Sequence, residues 1–332
     1  MVSKRRRPTI NQVAKEVGVS KATVSRAFSR ADMLSKETVE RVLKVAREIG
    51  YVPNQAARAL STGQHGNIGL IVPDIANPFI PPLISTVQSQ SEEADYCVFL
   101  GNSDELPERE DRLAKRFSGQ VEGLILVSSR LSDDRIRHYA AELPVILVNR
   151  DLEGIPRILI DSAVGVTEAM AHLASLGHKH IVYVSGPPKS WSNTQRKKTV
   201  KSQGKRLNLQ TTNIAANPPS YEAGFKVVEK IVASGATAAI AFDDIIAQGL
   251  LAGLASMGIE TPGQFSVIGC DDVLGAVTYP QLTSISSAAG EAGRIAARTC
   301  IELLENKAMS DIRYVLDTHL VIRDTTGVFP QK

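Results

Sequence analysis

Lys21, Ala22, Ser25 and Arg26 follow one another closely behind Ser20, and their types suit contact with nucleic acid. At about 100° per residue, Ala22, Arg26 and Ser29 point roughly 140–160° away from Val24, Ala27 and Phe28. A short helix capped by Ser20 therefore buries the second set and presents the first. Such a helix fits the major groove of double-stranded DNA, where a guanidinium pairs bidentately with guanine O6 and N7. Thr9, Ser20 and Thr23 are placed to hold phosphates. The plainer alternative is a small helical bundle with Lys21 and Arg26 on a solvated face.

A second set of polar and aromatic residues recurs just after short apolar runs: Asn77 and Phe79, Asp104, Asn149 and Arg150, Asp243, and Asp271. Each alone reads as a turn or cap residue, because Asp and Asn favour such positions. Their recurrence suits a cleft lined by Arg, Asn and Asp with aromatic faces. Directional hydrogen bonds and an apolar wall of that kind take a polyhydroxylated small molecule.

The elements that must position the first set are three short helices. Ile10, Val13, Ala14 and Val17 line one helical face that opens at Thr9 and stops at Gly18. A third helix opens at Ser35, is expected to bury Val39, Val42, Leu43, Ala46 and Ile49, and ends at Gly50. Three helices with a glycine-centred turn between the first two form a helix-turn-helix. From residue 67 onward, apolar runs at Ile68–Val72, Tyr96–Leu100, Gly123–Val127, Val145–Val148, Ile158–Ile160, Ile181–Val184, Ala238–Phe242 and Ser266–Gly269 alternate with amphipathic stretches. That alternation predicts parallel sheets covered by helices on both faces, in two doubly wound lobes with the ligand outside the strands' carboxyl ends.

The charge distribution agrees with this division. The net charge of the 332 residues is +3, but residues 1–62 carry 13 Lys/Arg against 5 Asp/Glu, leaving the remainder at −5. A basic head on a mildly acidic body is the pattern of a nucleic-acid-binding module joined to a regulatory domain. The longest apolar runs are strand-length, so no membrane association is expected. The start Met-Val-Ser-Lys-Arg-Arg-Arg lacks the apolar core of an export signal, so the chain is expected in the cytoplasm. Cys97, Cys270 and Cys300 lie on separate apolar segments and read as buried thiols.

No dinucleotide or phosphate-loop glycine motif and no Gly-x-Ser-x-Gly elbow occurs. His178 and His180, just before a strand, read as structural hydrogen-bonding groups. No residue is nominated as catalytic or metal-ligating, and no cofactor is expected.

The run Thr9-Ile10-Asn11-Gln12-Val13-Ala14-Lys15-Glu16-Val17-Gly18-Val19-Ser20, continuing Lys21-Ala22-Thr23-Val24-Ser25-Arg26, resembles the head of the lactose-repressor (LacI/GalR) family. Tyr51-Val52-Pro53-Asn54, with Ala57 and Leu60, resembles that family's hinge. The resemblance implies that Lys21, Ala22 and Arg26 read base edges and that Tyr51 and Asn54 contact the DNA backbone. Pro53 would start a short hinge helix, Ala56, Ala57 and Ala59 are small enough for two copies to approach, and Leu60 suits a minor-groove wedge. A helix this short and polar is marginal alone, so it is expected to fold only on DNA, beside its dimer mate.

The body is similar to the same family and to periplasmic sugar-binding proteins in Ile68-Gly69-Leu70-Ile71-Val72-Pro73-Asp74, Asn77-Pro78-Phe79, Leu176-Gly177-His178, Gly186-Pro187 and Ser266-Val267-Ile268-Gly269-Cys270-Asp271-Asp272. That likeness implies effector contacts for Phe79, Asn149, Arg150, Arg196, Asp243 and Asp271. The chain departs from the family at three places. Lys197-Lys198-Thr199-Val200 follows Arg196, Asp243 stands where Asn is common, and Pro219 replaces a frequent aromatic, with Tyr221 as a stand-in. The basic run Arg196, Lys197, Lys198, Lys201, Lys205 and Arg206 reads as a solvated helix face, with Lys197 or Lys198 open to an anionic group.

The expected fold class is α/β: an all-α helix-turn-helix head over residues 1–52, a hinge over 53–65, and a two-lobed, doubly wound body over 66–332, like that of periplasmic binding proteins. The N-lobe is expected over 66–162 and 290–322, the C-lobe over 163–289 and 323–330. The expected function is a ligand-responsive repressor that binds palindromic operator DNA as a homodimer, its effector a sugar or nucleoside-like metabolite. Residues 325–332 carry no leucine heptad, so a tetramer is not expected. A solute-binding protein for transport and an enzyme on the same fold are the competing readings.

Overall fold

The computed structural model describes residues 8–52, 65–306 and 311–329. It divides into two compact units, one ending and the other beginning at residues 66 and 67. The expected hinge contacts Asn54, Ala57 and Leu60 lie outside the described residues.

In the first unit, α1 (Ile10–Val17), α2 (Lys21–Ser29) and α3 (Lys36–Ile49) enclose a core of Val13, Ala14, Val17, Val24, Ala27, Val42 and Ala46. The Thr9 N–H donates to Gln12 Oε1 at 2.8 Å, and Ser20 Oγ accepts from Thr23 N–H at 3.1 Å. Gly18 and Gly50 end α1 and α3 at φ 74° and 72°, where a Cβ would be strained. The third helix differs from its expected face. Val39 and Leu43 are half-buried outside the core cluster, and Val45 packs against it instead. Val42, Val45, Ala46 and Ile49 share the inward arc, and Val39 and Leu43 lie roughly 60–100° around from Val42 at 100° per residue.

The second unit holds two six-stranded sheets. The first has the order β11-β5-β4-β3-β1-β2, built from β1 (Asn67–Val72), β2 (Cys97–Asn102), β3 (Gly123–Val127), β4 (Val145–Val148), β5 (Arg157–Asp161) and β11 (Arg313–Asp317). The second has the order β12-β10-β9-β8-β6-β7, from β6 (His180–Ser185), β7 (Gln210–Ala215), β8 (Ala238–Ala241), β9 (Ser266–Asp271), β10 (Ser284–Ser286) and β12 (Leu320–Val321). Pairing is parallel except between β10 and β12. The central strands Gly-Leu-Ile-Leu-Val and Val-Ile-Leu-Val are buried throughout, as strands covered on both faces must be.

The first sheet is covered by α4 (Ile80–Glu93), α5 (Pro107–Ser118), α6 (Asp133–Ala140) and α11 (Ala289–Asn306). The second is covered by α7 (Ala163–Ser175), α8 (Trp191–Arg206), α9 (Tyr221–Ala233) and α10 (Asp244–Ser256). The chain passes between lobes after Asp161, between Ser286 and Ala289, and between Asp317 and Leu320. The last crossing corrects the expected N-lobe limit at 322, because Leu320–Val321 already pairs with β10 of the C-lobe. Cys97 is also corrected: it is exposed, since it opens β2 at the edge of its sheet, whereas Cys270 and Cys300 are buried. No described helix is long and apolar enough to cross a membrane.

Candidate functional site

In the head, Lys21, Ala22, Ser25 and Arg26 are all exposed along α2, opposite buried Val24 and Ala27. Ser20 is exposed at the helix start, with its hydroxyl 2.9 Å from that of Thr23. Among the described residues the side chains of Arg26 and Lys21 make no ion pair or hydrogen bond, and both residues are exposed to solvent. Tyr51 differs from a free backbone contact. Its ring packs edge-on against Phe28 at 5.9 Å and joins the rim of the core, and burial raises its hydroxyl pKa above the ordinary value. Its hydroxyl can still reach outward, because the residue is only half-buried.

In the body, the carboxyl ends of both sheets border a narrow cleft with a cavity volume of about 60 Å³. Asn77, Phe79 and Asn149 line it from the N-lobe, and Arg196 and Asp271 from the C-lobe. Asn77 Nδ2 donates to Asp243 Oδ2 at 3.2 Å and so ties the two lobes together. Asn149 is turned inward by a positive φ of 54°, and its Oδ1 accepts from Ile160 N–H at 2.9 Å.

Arg196 is the most constrained group. It comes from the first turns of α8, whose start is capped by Ser190 Oγ on Asn193 N–H. Its Nε donates to Ser162 Oγ at 3.2 Å, its Nη1 to the Phe242 carbonyl, and its Nη2 to Asp271 Oδ1 at 3.3 Å. The guanidinium also lies 5.1 Å from the centre of the Phe242 ring, a stabilising cation–π placement. Burial raises the Asp271 carboxyl against the pull of Arg196.

Asp243 is 1% exposed and caps α10 through Ile246 N–H at 2.8 Å. Burial, and then the charge of Asp271, push its carboxyl up to about 7 despite Arg196 and Asn77. Asp244 beside it is likewise pushed up to about 7, first by burial and then by Asp271, while accepting from Val273 and Leu274 N–H.

Residues 9–54 match the family described as bacterial regulatory proteins, lacI family, and residues 170–326 match the periplasmic binding protein-like domain. The ribose operon repressor of Halalkalibacterium halodurans is 31% identical over 323 residues, covering 96% of this chain and 97% of that relative. The chain belongs to the lacI family of bacterial regulatory proteins. Catabolite control protein A of Streptococcus mutans is also 31% identical, over 326 residues that cover 96% and 98% of the two chains. A lac repressor dimer bound to operator and an anti-inducer shares the fold with a TM-score of 0.87 at 24% identity, over 97% of this chain and all of that one. A LacI family regulator of Enterococcus faecalis with bound ribose is 28% identical with a TM-score of 0.72, over 80% of this chain and all of its own. As a lacI-family member the chain is a transcription regulator with a helix-turn-helix DNA-binding head and a periplasmic-binding-protein-like body.

Within this lacI-family body, four expected contacts do not line the cleft, and one of them, Asp243, is buried behind the lining residue Asn77. Asp104 is held at the surface by Arg109 and by Asn102 Nδ2 at 2.6 Å. Arg150 does not line the cleft; its Nη2 pairs with Asp133 at 2.7 Å and donates to the Leu131 carbonyl at 3.3 Å. Tyr221 is 43% exposed at the start of α9, and Pro219 lines the cleft in its place. Lys197 and Lys198 are exposed on α8 and do not line the cleft. Sequence reasoning missed Arg130, Glu105, Ser190, Ser192 and Phe242, all of which line it. The end of β3 carried the signal: Arg130 lies three residues past Val127, a strand end of the same kind as those that pointed to Asn77 and Asp271.

Proposed function

We propose that this regulator is a repressor that binds a two-fold-symmetric operator as a homodimer and is controlled by a polyhydroxylated metabolite held in the cleft. The observation that carries the ligand half is the set of fixed donors and acceptors converging there. Arg196 and Asp271 are buried and mutually paired, Asn77 and Asp243 are bonded across the lobes, and Phe79 and Phe242 supply apolar faces. Hydroxyls can exchange hydrogen bonds with such groups while a ring face packs on the aromatics. A relative named for ribose control and a neighbour with bound ribose fit that chemistry.

For the DNA half, α2 is the reading helix, with Lys21, Ala22, Ser25 and Arg26 facing the groove and Thr9, Ser20 and Thr23 at phosphates. Tyr51, Asn54, Ala57 and Leu60 act beside it through the hinge. The working division is a head over 1–52, a hinge over 53–65 and a two-lobed body beyond. The chain works by binding, not turnover, in the cytoplasm where its DNA is.

Selection from a random duplex pool by the full chain tests this. A two-fold-symmetric consensus is expected. Arg26→Ala should weaken binding by about 1–3 kcal/mol and relax preference at one base pair of each half-site. An unchanged consensus from that variant removes Arg26 from base reading, and enrichment of an asymmetric site removes the dimer.

A further inference from the structure

Two arginines converging on a cavity ordinarily indicate a phosphate or carboxylate ligand. In this cleft both are already matched by the protein. Arg130 Nε and Nη2 donate to the two oxygens of Glu105 at 2.6 and 3.1 Å, and its Nη1 donates to the Ser128 carbonyl at 2.5 Å. The Arg130 backbone N–H donates to a second carboxylate, Glu110, at 2.7 Å. Arg196 is matched by Asp271, Ser162 and the Phe242 carbonyl. The two arginine side chains are only 5% and 8% exposed, so water does little to screen these pairs.

The rest of the wall has the same bias. Asp74, Glu105 and Asp271 line the cleft against Arg130 and Arg196, and Asp243 lies against the lining residue Asn77. The start of α4 reaches the cleft at Phe79 and Ile80, where a helix would normally offer backbone N–H groups to an anion. Pro81 and Pro82 in its first turn have no N–H to offer, and the Phe79 N–H is taken by Asn77 Oδ1 at 2.9 Å. At the start of α8 the Asn193 N–H is taken by Ser190 Oγ at 3.3 Å. The lysines after Arg196 do not line the cleft.

From these features we infer that the cleft admits an uncharged polyol and excludes its phosphorylated or carboxylated forms. The inference rests on the effector reading above and narrows it. A hydroxyl needs only one N–H or one carboxylate oxygen, and each guanidinium keeps unbonded N–H groups for it. A phosphate monoester brings about −1.5 to −2 charges. It must either displace a carboxylate from its arginine or sit beside it unpaired, and both are unfavourable in a buried site.

Melting of the full chain with inorganic phosphate, against chloride at equal ionic strength, tests the charge rule directly. Wild type should show no phosphate-specific shift. Glu105→Gln should gain one, at least a tenfold rise in phosphate affinity, and Arg130→Gln added to it should remove the gain. Asp74→Arg, which adds a cation without opening either buried pair, carries the same expectation should Glu105→Gln fail to fold. The inference is overturned by phosphate or ribose 5-phosphate binding to wild type that weakens at least tenfold in Arg196→Gln, or by folded Glu105→Gln that stays as indifferent as wild type. Ribose, glucose and cellobiose in the same assay address the effector reading separately: the phosphate arm decides the charge rule whichever of them binds.

Discussion

Asp243 is buried just behind the cleft, against its lining residue Asn77. Its carboxylate caps α10, accepts the bond from Asn77 that joins the lobes, and lies close enough to Asp271 and Arg196 to feel both charges. Its carboxyl is pushed up to about 7, well above the ~3.9 of an unfolded chain. Between those values the unfolded state has released the proton that the folded state retains, so stability falls as pH rises from about 4 to about 7 and levels above it. Asp244, pushed to about 7 beside it, adds to the same slope. Asparagine at position 243 keeps the acceptor for Ile246 N–H and has no charge to bury. Asp243→Asn sets its Nδ2 against the Asn77 Nδ2 donor and gives up the bond between the lobes, so it is expected to melt lower than wild type below pH 4 and to flatten the decline between pH 4 and 7. Melting temperature followed from below pH 4 to pH 8 measures both. A variant that keeps the wild-type slope would assign the titration to Asp244 or Asp271.

Elements were legible where burial imposes a pattern. The eight apolar runs each became a strand; seven are buried almost throughout, as strands covered on both faces must be, and the eighth, β2, is an exposed edge strand that was legible from its apolar Val-Phe-Leu alone. The remaining strands gave no such signal. β7 is Gln-Thr-Thr-Asn-Ile-Ala on an exposed edge, β10 and β12 have three and two residues, and β11 is Arg-Tyr-Val-Leu-Asp at the other edge. An edge strand draws its order from backbone pairing with a neighbour, which leaves no period in side chains to read. The site divided the same way. Strand ends gave the positions of Asn77, Asn149 and Asp271, but not the direction of a side chain, so Asp104 and Arg150 were expected in the cleft and instead pair outside its lining with Arg109 and Asp133.

Helix contacts depend on glycines that hydrophobic patterning does not register. α9 and α10 approach so closely that a Cβ on Gly249 would lie 2.0 Å from the Tyr221 carbonyl oxygen and 2.8 Å from Phe225 N. Backbone cannot yield as a flexible side chain does. Gly249→Ala should therefore destabilise the body by about 1–3 kcal/mol despite alanine's better helix propensity. Urea unfolding is the measurement, and an unchanged or raised midpoint would mean the two helices separate without loss.

At the scale of the whole molecule, the head and the body each have a core of their own, and the cleft lies wholly in the body. Any effect of a metabolite on DNA must then pass as a coupling free energy between two separate sites, and that coupling is reciprocal. Asp271→Asn tests the arrangement. The substitution keeps the side chain's shape but takes the counter-charge from buried Arg196, so the body should melt lower than wild type. The exposed face of α2 and the packing beneath it contain no residue of the cleft, and distant sites without shared partners act nearly independently. Operator affinity of Asp271→Asn without metabolite should accordingly stay within about threefold of wild type, while the response to a polyol that acts on wild type is lost. Fluorescence anisotropy of a labelled operator, with and without the polyol, reads both quantities at a temperature where circular dichroism shows the variant folded. In wild type, the factor by which the polyol changes operator affinity must equal the factor by which operator changes polyol affinity. A variant that still binds polyol but no longer transmits it would place Asp271 in the coupling between lobes, and one that keeps both properties would remove it from the effector site.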